Sequence, residues 1–132
     1  MAAVASADDE AFSQARESAL RDNVQQLIDM LLAGKALDAF ERFYAENCVM
    51  SENGEDERVG KSACRAHERE FVQSIDRWND IRIGGVLVEG NKAAIEIIMD
   101  IAFVGGKRVV RRQLIISTWS KGKIVHSVAY HA

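Results

Sequence analysis

The sequence predicts an α+β fold, with N-terminal helices packed on one face of a curved, mixed or antiparallel sheet. Three observations carry this reading. Apolar residues recur at spacings of three and four through the first third of the chain. After Trp78 the period changes to two. The alternating runs are then punctuated by Gly90-Asn91, Gly105-Gly106 and Lys121-Gly122, which are hairpin signals. Helices first and a long meander afterwards is the order of an α+β domain, outlined as a helix-lined half-barrel with an interior pocket.

The elements follow in order. Residues Met1 to Ala7 are small and are expected to be a disordered start, with one domain over 8–132. Asp8 to Ala33 is helical, with Phe12, Ala15, Ala19 or Leu20, Val24, Leu27 or Ile28 and Leu31 on one stripe. Asp8, Asp9 and Glu10 suit the positive end of that helix. Asp22-Asn23 leaves open whether it is one helix or two, because both residues prefer caps. Gly34 is the expected stop. A short helix from Ala36 to Tyr44 and a short strand from Cys48 to Glu52 come next. Glu52 to Val59 is expected as a polar loop around Asn53-Gly54. Lys61 to Arg77 is a third helix, with Cys64, His67, Phe71, Ile75 and Trp78 on its stripe. Four strands close the chain: Asp80 to Val88, Ala93 to Val104, Lys107 to Trp119 and Ile124 to His131.

Composition sets the functional limits. The 132 residues suit one domain, and 48% hydrophobic with 28% charged residues is an ordinary globular balance. A net charge of −3 argues against nucleic acid, which calls for a clustered basic face. The basic group Lys107, Arg108, Arg111 and Arg112 reads as a solvated strand end. No run approaches a membrane span and no secretory core opens the chain, so a cytoplasmic protein without a membrane partner is expected. Cys48 and Cys64 match no metal or redox spacing and are expected to be reduced and buried.

Strand parity separates the two faces of the sheet. Ile95, Ile97, Met99, Ile101 and Phe103 alternate with Ala94, Glu96, Ile98, Asp100 and Ala102, so the first set faces the helices. The other face carries Ile98, with Leu114 and Ile116 on the next strand. A half-apolar outer face of this kind suggests self-association.

The chain resembles the nuclear-transport-factor-two-like superfamily, and within it the SnoaL-like and ketosteroid-isomerase-like proteins. The resemblance rests on Leu32-Ala33-Gly34, Phe43-Tyr44-Ala45-Glu46-Asn47 with the strand to Glu52, Arg58-Val59-Gly60-Lys61, and Gly122-Lys123-Ile124-Val125. It spans about Asn23 to His131 and implies a cone-shaped, cystatin-like half-barrel. It also implies a homodimer through the outer sheet face, in agreement with the parity of Ile98, Leu114 and Ile116.

The same resemblance puts Glu52 where ketosteroid isomerase keeps its catalytic carboxylate. That enzyme sets its base beside an oxyanion hole made of a tyrosine and a neutral aspartic acid. This chain reproduces neither donor. The tyrosine position, seven residues before Gly34, holds Leu27. The aspartic acid position holds Leu114 or Ile115, depending on one gap. Loss of one such donor costs on the order of 3–4 kcal/mol, which excludes steroid isomerisation by that route.

Glu52 as base and His67 as its partner are the candidate catalytic pair for isomerisation, cyclisation or dehydration. Histidine titrates near neutral pH, and desolvation is expected to raise the Glu52 pKa. Leu27, Phe71, Ile97, Met99 and Trp119 are the expected apolar walls, with Gln113, Ser117 and His131 as further polar contacts. The ligand would be a small apolar or amphipathic molecule. The bland alternatives stand beside this: Glu52 as a loop-entry carboxylate, His67 as a satisfied core histidine, His131 frayed at the terminus, Trp78 and Trp119 as core. Glu52 with two histidines has the composition of a facial triad, but no short spacing supports it, and neither metal nor cofactor is expected. The second functional class is a non-catalytic ligand-binding or dimeric scaffold protein.

Overall fold

The computed structural model describes residues 6–132. In chain order the elements are α1 (Ala7–Leu32), α2 (Ala36–Phe43), β1 (Tyr44–Glu52), β2 (Glu55–Val59), α3 (Lys61–Ser74), β3 (Ile75–Glu89), β4 (Lys92–Phe103), β5 (Arg108–Ser120) and β6 (Lys123–Tyr130). The three helices pack on an open six-stranded mixed sheet, the α+β arrangement expected from the order of elements.

α1 runs unbroken through Asp22-Asn23, so the first helix is one element. Ser6 caps it, its hydroxyl accepting the Asp9 N–H at 3.2 Å. Ser6 and Ala7, expected to belong to a disordered start, therefore cap and open the helix, while residues 1–5 of that start lie outside the described residues. Burial in α1 begins only at Leu20 and continues through Val24, Leu27 and Ile28. Phe12, expected on the buried stripe, is 64% exposed, because the first turns of α1 carry no buried residue. The helix stops at Gly34, whose φ of 78° lets Lys35 N–H reach the Met30 carbonyl at 2.9 Å.

Several boundaries differ from the sequence reading: β1 starts at Tyr44 rather than Cys48, and β3 at Ile75 rather than Asp80. Glu55 to Val59 is a strand rather than a loop, pairing antiparallel with β1 at Val49–Val59 and Met50–Arg58. Its acidic side chains line an exposed sheet edge, where charge discourages pairing with another chain. α3 ends at Ser74 rather than Arg77. The Ser74 hydroxyl donates to the Phe71 carbonyl at 2.5 Å, competing with continuation of the helix. Ile75 then enters the sheet opposite Phe103.

The strand order is β2-β1-β6-β5-β4-β3. All neighbours are antiparallel except β1 and β6, which run parallel. The parity read from β4 holds: Ile95, Ile97, Met99 and Ile101 are buried in the core with Leu20, Val24, Leu27 and Ile28 of α1. On the opposite face, Leu87, Ala94, Ile116 and Val128 form one row across β3, β4, β5 and β6. Cys48 and Cys64 are buried free thiols, and burial pushes the Cys48 thiol up to about 12.

Ile101 is fully buried in the main core. Ile101→Ala is expected to lower stability by about 2–5 kcal/mol, measured as a lower urea midpoint with an unchanged slope.

Candidate functional site

β1 and β6 set the site. Their parallel pairing brings both C-terminal ends to one edge, with Glu52 opposite Ala129. The Asn53 N–H donates to the Ala129 carbonyl at 2.9 Å, and Asn53 Oδ1 accepts the His131 N–H at 3.0 Å. Asn53 adopts φ 53° and Gly54 φ 75°, left-handed conformations that asparagine and glycine tolerate best. The chain beyond β6 is thereby laid across the end of β1.

His131 Nε2 lies 2.8 Å from Glu52 Oε2, and His67 Nε2 lies 3.4 Å from Glu52 Oε1. One carboxylate thus joins the end of the chain to α3. The hydrogen bond from His131 is the main cause of a lowered Glu52 pKa, assisted by the nearby His67 and opposed by burial. This corrects the expectation of a raised value: the two imidazoles outweigh desolvation.

A cavity of about 680 Å³ lies between the helices and the inner sheet face. Of the residues named from sequence, Leu27, Phe71, Ile97, Met99, Gln113, Ser117, Glu52 and His67 line it. Trp119 does not. It is 4% exposed, packs edge-on to Phe43 at 5.8 Å, and donates its indole N–H to the Ser117 hydroxyl at 2.9 Å. A break in register after Thr118 accompanies this placement in the core. Trp78 takes the wall position instead, 37% exposed and edge-on to Phe71 at 6.4 Å. His131 also stays off the lining and meets the site through Glu52.

Sequence reasoning missed several lining groups, among them Tyr44, Arg58 and Glu68. Glu68 carried a usable signal, being four residues after Cys64 and three before Phe71 on the same helical stripe. Burial pushes its carboxyl upward, with the Glu52 charge adding and His67 and Arg58 opposing. Burial also keeps the Tyr44 phenol protonated, with the Glu68 charge adding. Arg58 Nε is buried without a hydrogen-bond partner among the described residues. Arg111, grouped from sequence with a solvated strand end, lines the cavity. Arg108 of that group instead binds Asp100 through two hydrogen bonds of 2.8 and 2.5 Å and holds its carboxyl at about 2.

Among the described residues, no group of three or more His, Cys, Asp and Glu is placed to hold a metal ion. No described helix is long and apolar enough to cross a membrane.

The sign of the Glu52 shift fixes a pH dependence. A carboxylate depressed in the folded state adds stability above its unfolded pKa and loses it as pH falls through the folded value. The carboxylate is 42% exposed, so water screening limits the effect to less than about 1 kcal/mol. Thermal melts between about pH 5 and pH 3 are expected to fall less steeply for Glu52→Gln than for wild type.

A family model described as a SnoaL-like domain matches residues 24–127. No curated protein matches the chain in sequence. Among solved structures, a Mesorhizobium loti protein described as a candidate SnoaL-like polyketide cyclase is 22% identical, with TM-score 0.75 over 84% of this chain and 97% of that one. A nuclear-transport-factor-two-like protein of unknown function from Burkholderia xenovorans is 18% identical, with TM-score 0.70 over 89% and 85%. A candidate ketosteroid isomerase from Kribbella flavida is 16% identical, with TM-score 0.70 over 88% and 79%. These structures share the cone-shaped fold expected from the sequence.

Proposed function

We propose, since the chain belongs to the SnoaL-like domain family, that it binds a small apolar or amphipathic molecule in the cavity and carries out proton-transfer chemistry with Glu52 as base. The domain is read as one unit over 8–132. The observation that carries the proposal is the Glu52 carboxylate on the cavity wall between two imidazoles, 2.8 Å from His131 and 3.4 Å from His67. An ionised carboxylate can take a proton from carbon. His67 on the cavity wall can pass that proton on, and His131 holds the carboxylate in place from the other side. Such groups typically contribute 10²–10⁴-fold in rate. The names given to the Mesorhizobium and Kribbella proteins fit isomerisation or cyclisation of a carbonyl compound.

A second reading, a ligand-binding or dimeric scaffold without turnover, is favoured by Leu27 at the cavity wall and by the apolar Leu114 and Ile115, which leave the usual isomerase donors absent. Self-association fits the outer sheet face. Ile98 lies there between Arg82 and Arg112, and Leu114 and Ile116 lie farther along β5, opposite Glu96 and Ala94. Leu87, 75% exposed, opens the apolar row that includes Ile116.

A thermal-shift screen of small apolar and amphipathic compounds is expected to yield ligands that raise the Tm, by an amount equivalent to about 2.7 kcal/mol at 100 times Kd. Failure of every compound would count against the cavity as a binding site. Glu52→Gln is expected to fold and to lose at least ~100-fold in turnover of a reacting ligand. Unchanged turnover would remove Glu52 from the chemistry, whereas altered affinity without any turnover in wild type would favour the scaffold. Ile98→Asp is expected to convert a dimer to a folded monomer in light scattering; a persisting dimer would refute that interface.

A further inference from the structure

Glu68 follows His67 on α3 and lines the same cavity as Glu52. Among the described residues it makes no ion pair and no side-chain hydrogen bond, whereas Glu52 engages two imidazoles. Its oxygens are not sealed inside protein: the buried side-chain atom without a partner among the described residues is Arg58 Nε. The Glu68 carboxyl therefore fronts cavity space. The charged and titratable groups that act on it are His67 on its own helix, Arg58 from β2, and Glu52 from β1, and its own charge reaches Tyr44 at the start of β1. Arg58 and His67 favour ionisation, but burial is the larger effect and Glu52 adds to it. A recessed carboxylate without a partner is costly, whereas the neutral acid is less so and can donate a hydrogen bond.

We propose that Glu68 is the proton donor of this site, and that the ligand is an apolar, enolisable ketone whose oxygen accepts from the Glu68 carboxyl. This rests on the reading of Glu52 as base. Glu52 takes a proton from the carbon beside the carbonyl. The C–H electron pair forms the carbon–carbon double bond, the carbonyl π pair moves to oxygen, and that oxygen takes the Glu68 proton. The products are an enol, a neutral Glu52 and an ionised Glu68. Return of the Glu52 proton to carbon and of the enol proton to Glu68 restores both groups, with no co-reactant. Two carboxyl groups pushed in opposite directions within one cavity are suited to opposite halves of such a transfer. The donor would come from α3, while Leu27 and Leu114 or Ile115 occupy the positions where the resemblance places donors.

The test uses the full chain and 2-tetralone, an apolar bicyclic ketone. Carbon-13 carboxyl NMR of glutamate-labelled protein, with Glu52→Gln and Glu68→Gln for assignment, should show Glu68 titrating above Glu52. Methyl signals of Met50 and Met99, which line the cavity, report binding of the ketone. In D2O, wild type should accelerate loss of the C1 proton signal of 2-tetralone, with a rate that falls as pH rises through the Glu68 titration. Glu68→Leu should keep the methyl shifts and lose at least ~100-fold in exchange rate. Glu68 titrating with or below Glu52 overturns the proposal. So does a Glu68→Leu variant that exchanges at the wild-type rate, or, should that variant not fold, a Glu68→Gln variant that does. Methyl signals unmoved by the ketone in wild type overturn the cavity reading and the proposal together; moved signals without dependence on Glu68 overturn the proposal alone.

Discussion

The parallel pairing of β1 with β6 is the constraint on which the site depends. Every other pairing in the sheet is antiparallel and joins elements near one another in the chain. The β1–β6 pair instead brings the first strand beside the last, with Glu52 opposite Ala129. It places Met50 and Glu52 on the cavity side with Ser127 and Ala129. A slip of one residue would turn Glu52 to the opposite face and part it from both histidines. Asn53 secures the register from both sides, donating to Ala129 and accepting from His131.

The same side-chain chemistry behaves in two ways within one cavity. Glu52 is held ionised by hydrogen-bonding imidazoles. Glu68, on α3, has only partial electrostatic support, and burial favours its neutral form. The difference arises from partners and burial together: hydrogen-bonded imidazoles dominate at Glu52 and desolvation dominates at Glu68. A carboxyl pushed upward by burial also contributes a pH dependence of opposite sign to Glu52. Its raised folded pKa makes the folded state relatively less stable as pH rises through the carboxylate range.

Particular residues show how far the chain could be read in advance. Alternation along β4 assigned Ile95, Ile97, Met99 and Ile101 to the core, and all four are buried. Gly34 marked the end of α1, because its positive φ is a local requirement. The hairpin glycines delimited the last four strands for the same reason. The boundary of α3 was less legible: Ser74 ends the helix through a local hydrogen bond, whereas the apolar stripe continues to Ile75 and Trp78. Trp119, read as cavity wall or core, lies in the core, whereas Trp78, also read as core, lines the cavity. Their depth depends on which neighbour fills the space, Phe43 for Trp119 and Phe71 for Trp78.

By itself, the sequence determined the order of the elements other than β2, the inward face of the sheet and the position of Glu52 at the end of a strand. Period, turn chemistry and strand parity are properties of nearby residues, and each is written along the chain. Tertiary structure decided the partners of Glu52, the partial burial of Glu68 and the exclusion of Trp119 from the cavity wall. These depend on contacts between residues as far apart as Glu52 and His131, separated by 79 positions. Proton affinity is set by such contacts, so the sequence could name Glu52 but not its charge, and it passed over Glu68.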